Sequence, residues 1–222
     1  MVTDFPQPVS GTVVPRFGDV ATFMRLPVFR DPAEVEIGMV GVPWDGGTTN
    51  RPGARHGPRQ MRDLSTMMRR VHHVTGVAPY ELAKCGDLGD ASVNPASLDD
   101  SLVRIEKHFA RIHAAGTVPL SAGGDHLVTL PIMRAIAKGG PLGMVHFDAH
   151  SDTWDTYFGG YTPHEAQRML RGLRGLNLVG GDVVEVSPPF DMSGNTALVG
   201  VTMMWEILCL LAESVARRKG RL

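Results

Sequence analysis

The sequence predicts an α/β fold built on a mainly parallel sheet. Two observations carry that expectation. Short apolar runs alternate with stretches of helical period, joined by short links, which is how parallel sheets are assembled. The 222 residues also include 26 glycines and 16 prolines, as a fold with many tight strand–helix turns needs. Apolar residues make up 43% of the chain and charged residues 20%, which is enough to bury a sizeable core and excludes a mainly disordered protein.

Charge and cysteine content narrow the class further. Lys+Arg total 22 against Asp+Glu 23, for a formal net charge of −1. No global basic field is available to hold nucleic acid. No stretch reaches the roughly 18 uninterrupted apolar residues of a membrane span, and Met1–Ser10 has no apolar run of the secretory kind. Two cysteines, Cys85 and Cys209, make no disulfide framework and suggest a reducing compartment. A cytoplasmic protein is expected, without nucleic-acid or membrane partners.

Residues 1–30 read as an extended arm, broken by Pro6, Pro8, Pro15 and Pro27, with Phe17, Phe23, Met24 and Leu26 available for packing. Residues 31–222 read as a single domain. Val35–Val42 is apolar and closed by Pro43, the pattern of a buried strand. Trp44–Arg59 is a long Gly/Pro/Asn loop, a length usually associated with function or mobility.

From Ser97 the period turns helical. Leu98, Leu102, Ile105, Phe109 and Ile112 share one helix face, Ser97 caps it with Asp100 three residues on, and Gly116 ends it. Val118–Ala122 reads as a strand, Leu127–Lys138 as a helix and Leu142–Phe147 as a second strand, together a βαβ unit. Thr162-Pro163-His164-Glu165 opens another helix with a capping box. Asn177–Val186 reads as a glycine-interrupted strand and Thr196–Arg218 as a terminal helix, apolar along Met203–Leu211. His72-His73 reads as surface or packing, and the two thiols as inert.

The strongest chemical signal is His146-Phe147-Asp148-Ala149-His150-Ser151-Asp152. If the backbone stays extended, alternation puts His146, Asp148, His150 and Asp152 on one face. Carboxylates and imidazoles gathered at one spot call for a cation. Donors of this kind, with no thiolate, suit Mn²⁺ and also Zn²⁺, Fe²⁺ or Ni²⁺. The second signal is Gly123-Gly124-Asp125-His126, directly after a strand. Its glycines permit a sharp turn and close approach to a ligand. Both motifs sit where ligands bind in such sheets, beyond the carboxyl ends of the strands.

Together these motifs resemble the first two signatures of the ureohydrolase family: arginase, agmatinase, guanidinobutyrase and relatives. The resemblance extends through Pro15-Arg16-Phe17, Val42–Thr48, Arg51–Pro58, Gly86–Asp90 and Val184–Pro189, in family order. The Thr49–Pro58 loop is more like the agmatinase and guanidinobutyrase branch than arginase. The resemblance implies an arginase-like three-layer sandwich, a homo-oligomer and a place in polyamine metabolism. It implies two Mn²⁺ ions, with His126 and Asp152 serving the first, His150 the second and Asp148 bridging both. It implies attack by a hydroxide held between the metals on a guanidinium carbon, releasing urea. Two cations lower the pKa of the water between them, which fits. Glu185 matches the family glutamate that pairs with the small cationic guanidino substrate.

One departure matters. The family's third motif, of Ser-Phe-Asp-Ile-Asp type, belongs between the second motif and Glu185, and this chain has no such segment. After Asp155–Gly160 it goes straight to Tyr161–His164. The sequence reads as two family fragments joined near residue 160, leaving an incomplete sheet. The family's catalytic histidine is missing, and His164, at a helix start, does not replace it. The second metal keeps only His150 and the shared Asp148, so that site is expected to be weak or empty. The expectation is therefore a manganese-dependent hydrolase of an agmatine-like or guanidinobutyrate-like compound, of low or no activity in this form. The alternative is a non-catalytic relative that binds metal or a subunit.

Overall fold

A computed structural model describes residues 4–145 and 162–222. Strands β1 (Ile37–Gly41), β2 (Cys85–Asp90), β3 (Val118–Ala122) and β4 (Gly181–Val183) pair in parallel in the order β2-β1-β3-β4. All five residues of β1 are buried. The strand's period of two sends Ile37 and Met39 into one apolar cluster and Val40 into another. The sheet is thus covered on both faces, as parallel sheets are.

Helices α3 (Leu98–Ala114) and α4 (Thr129–Ile136) cover one face. Helices α1 (Gly57–Ser65), α2 (Pro79–Leu82) and α6 (Asn195–Arg218) cover the other, and α5 (Pro163–Gly172) packs on α6. The expected three layers are present.

Local chemistry explains the helix boundaries. Ser97 Oγ accepts the Asp100 N–H at 3.2 Å, and Gly116 takes the left-handed φ of +74° past the end of α3. Ile105, Phe109 and Ile112 form the buried stripe of α3. Burying each side chain of this size contributes about 1.5–3 kcal/mol. In α5, Thr162 accepts the Glu165 N–H, and the Glu165 carboxylate accepts the Thr162 N–H at 2.9 Å, completing the box.

Helix α6 is long and apolar enough, by length and composition, to cross a membrane. Here 72% of its most apolar window is buried inside the fold, where Val201, Met204, Leu208, Leu211 and Val215 join the main core. Its buried acids are matched from α5 and the segment beyond it. Glu206 accepts hydrogen bonds from Gln167 Nε2 (3.1 Å) and Arg171 Nε (3.1 Å) and faces His72 Nε2 at 3.0 Å. Glu213 accepts from Arg174 Nε at 3.0 Å. His72 Nδ1 accepts two backbone N–H groups, from Val74 and Thr75, so its proton sits on Nε2, toward Glu206. The ring lies parallel to Trp205. His72 is therefore packed and His73 lies exposed at the surface, within the expected surface-or-packing role.

Several expectations need correcting. Leu142–Val145 forms no strand, and the other two residues of that expected strand, 146 and 147, lie outside the described ones. The neighbours of β3 are β1 and β4, so the expected βαβ pairing is not seen among the described residues. The expected strands at Val35–Val42 and Asn177–Val186 shorten to β1 and β4. The expected Leu127–Lys138 helix is α4 flanked by 3₁₀ turns at His126–Val128 and Ala137–Gly139. In the arm, Phe23, Met24 and Leu26 are buried but Phe17 is 95% exposed. The chain end is tied down as well: Arg221 Nη2 reaches Glu36 Oε1 at 2.6 Å, with Lys219 on the same oxygen at 3.1 Å.

Candidate active site

Register places Gly41, Ala122 and Val183 side by side, so β1, β3 and β4 release their chains at one edge of the sheet. The three exits stay hydrogen-bonded to one another beyond the strands. Val42 N–H donates to Ala122 O (2.8 Å), Gly123 N–H to Val183 O (2.7 Å), Glu185 N–H to Gly124 O (2.8 Å) and Asp125 N–H to Trp44 O (2.8 Å). This stitching brings Trp44-Asp45, Gly123–His126 and Glu185 together.

Glycine is required at the tightest point. A Cβ on Gly124 would lie 1.5 Å from Trp44 O. Next to it, Asp125 is buried, and its carboxylate accepts the N–H of Gly47 at 2.6 Å and of Leu127 at 3.1 Å. The second bond caps the 3₁₀ turn that carries His126. Burial pushes the Asp125 carboxyl above its usual range, opposed by the Gly47 N–H and reinforced by the negative Glu185.

Glu185 follows β4 in the left-handed region, with φ +65°. For a residue with a Cβ this is strained backbone, of the kind that collects at functional sites. Its carboxylate accepts the backbone N–H of His126 at 2.7 Å. The loop after β1 is closed by a second buried acid. Asp45 accepts the Arg55 backbone N–H at 3.2 Å and Arg55 Nε at 2.5 Å. Burial pushes the Asp45 carboxyl up, but the Arg55 guanidinium outweighs it and holds the group below its ordinary value.

Of the expected site residues, His126 and Glu185 meet at this edge. His146, Asp148, His150 and Asp152 lie outside the described residues. Among the described residues no three His, Cys, Asp or Glu side chains converge on a metal position. The donor chemistry still suits a hard divalent cation: an imidazole-bearing turn stands beside an exposed carboxylate, and the neighbouring Asp125 is already engaged with backbone donors. Both thiols are buried in the core, and burial pushes each well above its ordinary value, so they take no part. Sequence reasoning missed the Asp125–Gly47 link. Nothing in a glycine marks its backbone N–H as a partner 78 positions away.

Fold and edge site together define an α/β protein of arginase architecture. A solved structure of proclavaminate amidino hydrolase from Streptomyces clavuligerus matches with a TM-score of 0.84 at 25% identity, covering 90% of this chain and 99% of that one. The chain belongs to the arginase family, whose model matches residues 35–159 and again 157–210. A guanidinopropionase from Pseudomonas aeruginosa is 46% identical, covering 98% of this chain and 99% of the relative. A guanidinobutyrase from the same species is 32% identical over 95% of this chain and 98% of the relative. The relationship is to ureohydrolases of guanidino compounds. The guanidinopropionase alignment runs over 316 positions against 98% of 222 residues, so roughly a hundred positions have no counterpart in this chain.

Proposed function

We propose that the chain derives from a hydrolase of guanidino compounds and keeps one half of its active site. In this reading Glu185 grips the guanidinium, His126, Asp148 and Asp152 hold one Mn²⁺, and Asp148 with His150 offers the other ion too few charges. The single observation that carries it is the Glu185 carboxylate on the His126 N–H at 2.7 Å, which joins the substrate glutamate to the first metal turn. The two-part family match and the unmatched hundred positions support a junction near residue 160. The unmatched block is where the third metal motif and the catalytic histidine belong.

The reaction is hydrolysis. The carbon–nitrogen bond to the substrate's alkyl nitrogen breaks, the water oxygen ends on the urea carbon, and a proton passes to the departing amine. Bound cations would activate the water. This chain's own contribution is to bind and orient the guanidinium through Glu185, with Gly124 and Asp125 holding the turn beneath it.

The test is urea release from 3-guanidinopropionate, 4-guanidinobutyrate and agmatine in the presence of Mn²⁺. The expected rate is low or nil for this chain. It is expected to rise when the block from the Pseudomonas aeruginosa guanidinopropionase is inserted at residue 160. A chimera that folds and binds two metals yet releases no urea would overturn the reading. So would full turnover by the unaltered chain. A second reading, as a metal-binding or subunit-binding relative without catalysis, is favoured by the same hundred-position gap. It predicts metal uptake without binding of any guanidino compound.

A further inference from the structure

We infer that the loop after β1 tunes metal affinity from outside the ligand set, with Gly47 and Arg55 as positioning residues for the His126 turn; this rests on the reading that His126 holds Mn²⁺. The loop touches the site at both ends. Near its start the Gly47 N–H reaches the buried Asp125 carboxylate at 2.6 Å, and the same carboxylate accepts the Leu127 N–H at 3.1 Å. Asp125 therefore holds two backbone donors at once, one from the loop and one from the turn that carries His126. The joint has no slack: a Cβ on Gly47 would lie 2.9 Å from Asp125 Oδ2 and 3.1 Å from Leu127 Cβ. Near its end the loop rests on the other half of the site. A Cβ on Gly57 would lie 2.5 Å from Val186 O and 3.3 Å from Gly123 O.

The loop keeps this shape through its own ion pair. Arg55 donates to Asp45 through its backbone N–H and through Nε. The Asp45 side chain is fully buried, whereas that of Arg55 is 47% exposed. The Asp45 carbonyl accepts the Thr48 N–H at 3.2 Å, which closes the turn that presents Gly47. A continuous path thus runs from Arg55 through Asp45 and Gly47 to Asp125 and the His126 turn. Hydrogen bonds to an ionised group are roughly twice as strong as neutral ones. Breaking the Arg55–Asp45 pair frees the loop to draw the Gly47 N–H away, and the carboxylate is left with Leu127 alone. Groups that orient a ligand set its metal affinity without touching the ion.

The experiment titrates the full chain with Mn²⁺ by calorimetry. Arg55→Gln, a change at a half-exposed side chain, is expected to bind about fivefold more weakly, with Arg55→Lys falling between. Gly47→Ala loads the joint directly and is expected to bind about tenfold more weakly. Glu206→Gln, which loosens the contacts among α5, α6 and His72, is expected to bind as the wild type does. By reciprocity, Mn²⁺ should slow exchange of the Gly47 amide in the wild type and slow it less in Arg55→Gln. Wild-type affinity in either Arg55→Gln or Gly47→Ala overturns the inference. So does an equal loss in Glu206→Gln, or a Gly47 amide indifferent to Mn²⁺. His126→Ala is expected to lose the ion. If it does and the loop variants bind normally, the reading of His126 stands and the role of the loop falls. If His126→Ala binds normally while the loop variants weaken, the loop still governs a metal and the reading of His126 falls. A wild type that takes up no Mn²⁺ overturns both.

Discussion

The Glu185 carboxylate accepts the backbone N–H of His126, a residue 59 positions earlier, at 2.7 Å. The bond fixes the distance between the strand that would meet a guanidinium and the turn that would meet a metal. It does so from a strained backbone, with Glu185 at φ +65°.

If Asp148 is shared as proposed, the missing third motif means that manganese uptake should stop at about one ion per chain. Equilibrium dialysis followed by elemental analysis reads this directly. Two tightly held ions would contradict the half-site.

Gly124→Ala should destabilise the protein by at least about 2 kcal/mol, because its Cβ would sit 1.5 Å from Trp44 O and backbone would have to move. Chemical denaturation followed by circular dichroism measures the loss. An unchanged midpoint would show that the three exits are not locked together as described.

How much of this was legible in the sequence depends on whether the cause was local. The α3 cap at Ser97, the Thr162–Glu165 box and the burial of Met204 and Leu208 follow from neighbours along the chain, and the structure bears them out. The glycine pair Gly123-Gly124 announced a close approach but not its partner, since Trp44 O comes from another strand exit. The expected Asn177–Val186 strand is longer than the one that forms, because apolar character marks a buried extended run without saying how far pairing goes. Only three residues find a partner on β3. Leu142–Val145 shows the opposite failure, since its strand-like composition meets no ladder and Met144 and Val145 stay exposed. For the site, family motifs point to His126 and Glu185, and the structure joins them by one hydrogen bond. The Asp125–Gly47 clamp is not legible in the sequence, because one partner is a backbone amide.

Glu206→Ala should cost about 3 kcal/mol, since it strips a buried carboxylate from Arg171, Gln167 and His72 and leaves their polar groups unmatched. Glu206→Gln should cost less, because it keeps an acceptor for Arg171. Denaturation midpoints of the two variants, compared side by side, check the ordering.

Acid stability should depend on the chain end. Burial pushes the Glu36 carboxyl up, but Arg221, the Lys84 N–H and Lys219 together outweigh it and hold the group at about 2, against an ordinary 4.5. A carboxyl lowered by folding contributes stability above its unfolded value and loses it as pH falls through the folded one. Stability should therefore drop between about pH 4.5 and pH 2. Arg221→Ala should flatten that drop and lower stability near neutrality. Unfolding followed as a function of pH in both proteins decides it.

Helix α6 supplies Val201, Met204, Leu208, Leu211 and Val215 to the larger apolar cluster, and it follows all four strands in sequence. During synthesis, β1 to β4 leave the ribosome before the helix that must cover one of their faces. A nascent chain can seal that face only once α6 has emerged. A chain truncated before α6 should therefore yield a sticky intermediate for chaperones and proteases, not a trimmed native protein.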